Sequence, residues 1–187
     1  MRYWIRGGKN LIMYDKQPDT TYWTERWGDE TLDDLVKGAE KSRPMLVKAF
    51  SKYLPRKGKI LEAGCGLGPW VKILLERGYD IEGIDSSEMT IDRAKAFDAS
   101  LPVSVGNVLK LDYPDEYFDG YISKGVAEHF EDGPTAMLVE AHRVLKHDGI
   151  LMITVPHFNP LRMVTVIRSR CDESKSKTFF QYGFTVR

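Results

Sequence analysis

The sequence has little cysteine and no long hydrophobic run. Its two cysteines, Cys65 and Cys171, are too few for a disulfide framework or for a zinc site built on cysteines. No apolar stretch approaches the roughly 20 residues that a membrane-spanning helix needs. The first residues, MRYWIRGGKN, lack the apolar segment of a signal peptide. These absences predict a soluble, cytoplasmic chain with no membrane partner.

The sequence also lacks an excess of charge of either sign. Lys and Arg together number 27, as do Asp and Glu, and no basic block stands out. Proteins whose affinity depends on neutralising many phosphates carry clustered positive charge, so a nucleic-acid partner is not expected. The 187 residues suit one domain with a core of its own.

From Lys59 onward, strand-like and helix-like segments alternate. The strand-like segments are KILEAG (59–64), DIEGID (80–85), VSVGN (103–107), FDGYISK (118–124) and GILMITVP (149–156). Helical spacing covers residues 69–77, 87–97 and 134–146, and also 31–53 with a break at Pro44. This alternation predicts a parallel sheet with helices on both sides. The handedness of crossovers then favours an α/β, Rossmann-like, doubly wound sheet.

The first of these strand-like segments leads into glycine at every second position, in ILEAGCGLGPW (60–70). Glycines permit unusual backbone angles and let main-chain N–H groups approach a ligand. Neither common phosphate loop fits: the G-x-G-x-x-G fingerprint needs glycine or alanine where Pro69 or Val71 stands, and no Gly-Lys-Ser/Thr triplet follows. The pattern that remains is E-x-G-x-G-x-G, starting at Glu62.

Five motifs in order make the chain similar to the class I S-adenosylmethionine (SAM)-dependent methyltransferases, in particular the small-molecule branch. They are ILEAGCGLG, GIDSSEMTIDRAK, GNVLKLDYPDEYFD, ISKGVAEHFED and EAHRVLKHDGILMITVP, within residues 20–157. The resemblance implies SAM as cofactor, S-adenosylhomocysteine (SAH) as product and a small-molecule acceptor of the methyl group.

Three other functions stay open. The first is a module that binds SAM without turnover. The second is a nucleic-acid (RNA) methyltransferase, although ISKGVAEHF lacks the Asn/Asp-Pro-Pro-aromatic motif of the amino-directed kind. An oxidoreductase that uses NAD is a more distant third.

The resemblance assigns residues around the amino-acid end and the ribose of SAM. Glu62 takes the ammonium, directly or through water, and the turn with the following helix N-terminus takes the carboxylate. Asp85 accepts from both ribose hydroxyls. Lys124 lines the methionine end mainly through main-chain atoms. The turn itself contributes Gly64, Cys65, Gly66 and Gly68, of which Cys65 is interpreted as a packing residue.

The resemblance also assigns the adenine contacts. Ser86 and Met89 flank the ring, and Met89 offers a polarisable face. Asn107 stands where the family usually has Asp, and its amide oxygen can accept from the adenine amino group. Val108 presents its backbone N–H to the ring.

The acceptor side is expected to contain aromatic residues from before the first strand. The family commonly uses that region as a lid, and YWTERW resembles its entry; the candidates are Tyr14, Tyr22, Trp23 and Trp27. His129 is either a catalytic base or a structural and substrate-positioning group. The remaining histidines form no convincing metal set with nearby acids, so no metal is expected.

Three segments follow from this assignment: a helical and aromatic lid (1–54), a SAM-binding core (55–157) and a C-terminal tail (158–187). Family members continue past the fifth strand with a helix and an antiparallel pair of strands, whereas here the fold looks shortened after that strand. Because soluble proteins avoid an apolar open edge, we expect residues 178–186 to pair with the fifth strand, or a second subunit in a homodimer to cover it.

Overall fold

The computed structural model describes residues 2–6, 10–14, 22, 23, 25, 27–157 and 179–184. In chain order, its strands are β1 (Arg2–Arg6), β2 (Asn10–Tyr14), β3 (Lys59–Ala63), β4 (Asp80–Asp85), β5 (Val103–Val105), β6 (Phe118–Lys124), β7 (Leu145–Thr154) and β8 (Phe179–Phe184). Its helices are α1 (Leu32–Ser42), α2 (Pro44–Tyr53), α3 (Pro69–Glu76), α4 (Glu88–Phe97) and α5 (Thr135–Val144), with a 3-10 turn at Ala127–His129.

The main sheet is parallel throughout and has the strand order β5-β4-β3-β6-β7. The central strand β3 pairs with β4 on one side and with β6 on the other, so the winding direction reverses at β3. In such sheets, ligands bind outside the carboxyl ends of the strands at this reversal. The predicted α/β, Rossmann-like fold is confirmed, and its crevice lies at the end of β3.

The helix boundaries have local causes. Thr31 and Ser87 cap α1 and α4 by accepting hydrogen bonds from Asp34 N and Thr90 N, both at 3.2 Å. Pro44 begins α2 and separates it from α1, because proline fits the first turn of a helix but not its interior. The break expected at Pro44 is therefore present.

Apolar side chains fill the space on both faces of the sheet. On one face, the rings of Phe50 (α2) and Trp70 (α3) meet edge to face, with centroids 5.4 Å apart. On the other, Met137 and Ala141 of α5 pack against Phe118 of β6. Each of these buried side chains is at most 2% exposed, so the sheet is covered on both sides as the sequence predicts.

The tail pairs differently from the prediction. β8 runs antiparallel to β2, which in turn pairs with β1, and these strands form a second, three-stranded sheet. β8 touches the end of the main sheet only at one bridge between His157 and Phe184, where Phe184 N donates to Pro156 O at 2.9 Å. The described residues 179–184 therefore do not form the expected pairing along the fifth strand, now β7, and the alternative, cover by a second subunit, stays a prediction.

β8 pairs with β2 because β1 and β2 form a hairpin, which the sequence patterns did not predict. Such a local hairpin leaves one open row of backbone N–H and C=O groups on β2, and β8 completes that row. In the described part of the chain, β7 remains the last strand of the main sheet. None of the described helices is long and apolar enough to cross a membrane.

Candidate functional site

The glycine turn bends back on the end of β4. Gly64 N and Cys65 N both donate to Ile84 O, at 2.8 and 2.9 Å. Gly64, Gly66 and Gly68 have φ of +80°, +58° and +76°, a region that favours glycine. Gly68 is the N-cap residue of α3, which begins at Pro69. The turn therefore presents backbone rather than side chains to the crevice.

Asp85, at the end of β4, is fixed against this turn. Its carboxylate accepts from Gly66 N at 2.9 Å and from Ser87 N at 3.0 Å. A carboxylate has about four lone-pair positions, so Asp85 can accept further hydrogen bonds from a ligand. Ser86 is exposed and Met89 is 64% exposed at the start of α4. Asp85, Ser86 and Met89 therefore lie together at the carboxyl end of β4 and the start of α4.

Glu62 is a buried carboxylate on the central strand. It is 1% exposed, and its Oε2 atom has no hydrogen-bond partner. Burial raises the pKa of Glu62, while the Lys124 charge and the Val71 N–H hydrogen bond act in the opposite direction. An orphaned buried oxygen is costly unless a ligand satisfies it. Glu62 is therefore suited to bind a cation at the end of β3.

Lys124 and Glu128 lie at the adjacent strand end. Lys124 is the last residue of β6 and is half-buried, and burial lowers its pKa. Glu128, in the 3-10 turn, is 4% exposed and its Oε2 also lacks a partner. Burial raises the pKa of Glu128 to about 7. The sequence predicts a role for the neighbouring His129 but none for Glu128, because an E-H pair carries no signal of which member is buried.

The Asn107 side chain is partly committed to its own loop. Its Oδ1 accepts from Leu109 N at 2.9 Å, and the residue is exposed. One lone pair of that oxygen remains for a ligand. Val108 is half-buried and packs against the core cluster around Phe118.

Aromatic residues before β3 reach both sides of the crevice. A side chain at Gly66 would collide with the ring of Trp27, so that ring lies directly against the turn. The ring of Trp23 meets that of His129 edge to face at 4.7 Å, and Tyr22 meets Trp23 at 5.1 Å. Tyr14 ends β2, and its side chain lies outside the described part.

Two further findings limit the chemistry. Cys65 is 4% exposed and burial raises its pKa well above the ordinary value, so it is a packed thiol. In residues 22, 23, 25, 27–157 and 181–184, where side chains are described, no group of His, Cys, Asp and Glu residues could hold a metal ion.

These features together define a class: a doubly wound α/β domain with a ligand crevice that combines a glycine turn, a carboxylate at each of two strand ends and aromatic walls. Residues 61–153 match the family of methyltransferase domains. The chain belongs to the class I SAM-dependent methyltransferase superfamily, whose cofactor is SAM.

Relatives of known description support this assignment. Over 106 residues, 55% of this chain, it is 29% identical to a probable SAM-dependent methyltransferase of Mycolicibacterium smegmatis. Over 111 residues, 58% of this chain, it is 33% identical to a tRNA (carboxymethyluridine(34)-5-O)-methyltransferase of Arabidopsis thaliana. The solved PH0226 protein of Pyrococcus horikoshii OT3 superimposes on 75% of the chain, with a TM-score of 0.58 and 27% identity.

The matched region is only part of each relative. It spans 41% of the M. smegmatis protein, 26% of the A. thaliana protein and 65% of the P. horikoshii chain. What those proteins do beyond this region is therefore not transferred to the present chain.

Proposed function

We propose that this chain is a SAM-dependent methyltransferase that acts on a small-molecule acceptor. The observation that carries the proposal is the orphaned Oε2 of buried Glu62 beside a turn of three glycines with positive φ. In that combination, the carboxylate of Glu62 suits an ammonium and the N–H groups of the turn suit a carboxylate, as an amino-acid moiety requires. A phosphate-binding loop does not meet both requirements.

The residues present fit SAM along its length. Glu62 would hold the ammonium, the turn from Gly64 to Gly68 the carboxylate, and Asp85 the ribose hydroxyls, while Ser86, Met89, Asn107 and Val108 would surround the adenine. When bound, SAM supplies an activated methyl group on a sulfonium. The protein's own contribution is to align the acceptor and keep water out.

The acceptor side would be formed by the aromatic lid and by β8. Trp23 packs on His129, and Tyr182 of β8 donates its hydroxyl hydrogen to Glu131 O at 2.6 Å. Together with Tyr14, Tyr22 and Trp27, this wall would enclose a small apolar-bodied acceptor. His129 would take the acceptor's proton or orient the acceptor, since imidazole titrates near neutral pH.

An RNA acceptor is the second candidate, because the A. thaliana relative is a tRNA methyltransferase. The balanced charge of this chain favours the small molecule. A module that binds SAM without turnover would differ from both kinds of enzyme because it would form no methylated product. A cytoplasmic location and a homodimer that covers β7 stay predictions.

Binding and turnover can be tested separately. In differential scanning fluorimetry, SAM and SAH should each raise the Tm of the chain, whereas NAD should leave it unchanged. Glu62→Gln should remove the increase in Tm that SAH causes. Glu88→Gln, which changes an exposed carboxylate on α4, should retain that increase. Radiolabelled methyl transfer from SAM to small-molecule extracts and to total tRNA then separates the acceptor classes. Stabilisation by NAD alone contradicts the proposal.

A further inference from the structure

Three charged side chains at the ends of β3 and β6 interact without forming a direct ion pair. Glu62 lies on β3, Lys124 at the end of β6 and Glu128 in the 3-10 turn that follows. Both carboxylates are at most 4% exposed, and each has an Oε2 without a hydrogen-bond partner. In the described part of the chain, no direct ion pair joins Lys124 to either of them.

The three groups nevertheless interact through their charges. Lys124 lowers the pKa of both Glu62 and Glu128, and the two carboxylates raise the pKa of Lys124 against the effect of burial. Arg43, from the junction of α1 and α2, adds positive charge near Lys124, and Asp85 adds negative charge near Glu62. Glu62 pairs in register with Ile122, two residues before Lys124 on the neighbouring strand, and Glu128 Oε1 lies 3.7 Å from where a Cβ on Gly125 would stand. Lys124 is therefore a half-buried cation near both buried carboxylates.

Counting charges shows what a bound amino-acid moiety would change. Its carboxylate would be held by the N–H groups of the glycine turn, and Asp85 would be held by Gly66 N, Ser87 N and the ribose. Its ammonium would engage Glu62, so that the ligand's ammonium and Lys124, with Arg43 nearby, would share one remaining carboxylate if Glu128 were absent. Like charges repel strongly where water is excluded, and an uncompensated buried charge is costly. With Glu128 ionised, two carboxylates face two ammonium groups.

We propose that Glu128 is a positioning residue for the cofactor: it balances the charge of Lys124 when the ligand's ammonium occupies Glu62. The inference rests on the proposed function, because it assumes that a ligand with an ammonium group binds at Glu62. It adds a role for Glu128 that acts through Lys124 rather than through contact with the ligand.

The test is calorimetric titration of the full chain with SAH between pH 6 and 8.5. At pH 8.5, Glu128→Gln should weaken SAH binding about tenfold, a usual size for coupling within one charged network. As the pH falls below 7, Glu128 of the wild type becomes protonated and its affinity should converge on that of Glu128→Gln. Glu131→Gln removes an exposed carboxylate three residues along the chain, and its SAH affinity should equal that of wild type at every pH.

A double variant, Lys124→Met with Glu128→Gln, separates this role from a merely structural one. With Lys124→Met as background there is no lysine charge to balance, so adding Glu128→Gln should change SAH affinity less than twofold. Glu128→Asp, which keeps the charge, should recover part of the affinity lost in Glu128→Gln.

The possible failures are distinguishable. Wild-type chain that does not bind SAH overturns the proposed function and the inference with it. Wild-type binding together with an equal affinity of Glu128→Gln at pH 8.5 overturns the inference alone. The same follows if the loss in Glu128→Gln is independent of pH or persists in Lys124→Met, because a packing defect would then explain it.

Discussion

At the scale of single residues, the site depends on backbone angles and on unsatisfied charge. Gly66 has a φ of +58° and lies under the ring of Trp27, while its N–H donates to Asp85. Glu62 and Glu128 are buried carboxylates that each retain an unpartnered oxygen. Small changes at these positions should therefore affect ligand binding and pH dependence more than the fold.

Replacing Gly66 with alanine should damage the crevice as well as the backbone. A left-handed conformation costs a residue other than glycine about 1–2 kcal/mol, and the new Cβ would also push against Trp27. We expect Gly66→Ala to lower stability by about this amount and to weaken SAH binding at least tenfold, measured by urea unfolding and calorimetry. Gly78→Ala is the matched control, because its φ is +80° and no atom lies near a Cβ there. It should share the stability loss and retain SAH affinity; equal affinity losses in both variants would contradict the interpretation.

Glu128 should give stability a distinct pH dependence. Its folded pKa, about 7, is above the ordinary 4.5 because burial favours the neutral form. Between pH 4.5 and 7 the folded state therefore binds more protons than the unfolded state. The stability that Glu128 contributes is fully present below pH 4.5 and is lost as the pH rises through 7. Glu128→Gln stays neutral and should gain about 2–3 kcal/mol relative to wild type between pH 5 and pH 8.

Denaturant unfolding of both proteins at several pH values measures this difference, and Glu131→Gln serves as the exposed control. Taking the difference between variants removes the contribution of Glu62, which is present in each. Parallel stability curves for wild type and Glu128→Gln would show that Glu128 is ionised in the folded state at pH 5.

At the scale of elements, the segment that precedes α1 acts on the crevice through its aromatic rings. Trp27 lies against Gly66 at one side, and Trp23 packs on His129 at the other. The glycine turn and the 3-10 turn are thus bridged by residues from a single segment. A lid role for this segment stays a prediction, and so do the segment boundaries at residues 54 and 157.

Removing the Trp27 ring tests that role. Trp27→Ala should weaken SAH binding about tenfold, or about 1.4 kcal/mol, because apolar surface beside the ligand becomes exposed to water. Trp27→Phe, which keeps an aromatic ring, should lose less. Stopped-flow displacement of SAH should assign the change mainly to faster dissociation. If Trp27→Ala binds and releases SAH like wild type, the ring packs on the turn without covering the ligand.

At the scale of the whole molecule, the small sheet meets the loops that follow β6 and β7 of the main sheet. The main sheet carries the glycine turn and the buried charges, whereas the β1-β2-β8 sheet joins the two ends of the chain. The hydroxyl of Tyr182 reaches Glu131 O, and Phe184 N reaches Pro156 O. The small sheet is thereby fixed against the loops that bound the site.

Tyr182→Phe should loosen this junction without unfolding the core. A single hydrogen bond contributes about 0.5–1.5 kcal/mol, so we expect amide exchange in β2 and β8 to accelerate by roughly tenfold if local opening dominates. Amides of Ile60 and Ile122 in the main sheet should exchange as in wild type. Hydrogen-exchange mass spectrometry measures both regions in one experiment, and uniform acceleration would indicate that the two sheets open together.

The sequence alone determined the alternating core and its ligand end. Strand boundaries at Asp80–Asp85 and Phe118–Lys124 were predicted without error, because short apolar runs bounded by glycine and charged residues are local signals. The break at Pro44 is local for the same reason. The motif order then indicated the cofactor, since each motif lies at a fixed place in the strand order.

Only the tertiary structure decided which distant groups come together. β8 pairs with β2 rather than β7, a choice between open edges that lie far apart in the chain and that no local pattern records. Glu128 is buried beside Lys124 while His129 packs on Trp23, although the two residues are adjacent in sequence. Burial and charge pairing depend on what packs from other elements, so local sequence patterns could not record which of these groups is buried and charged.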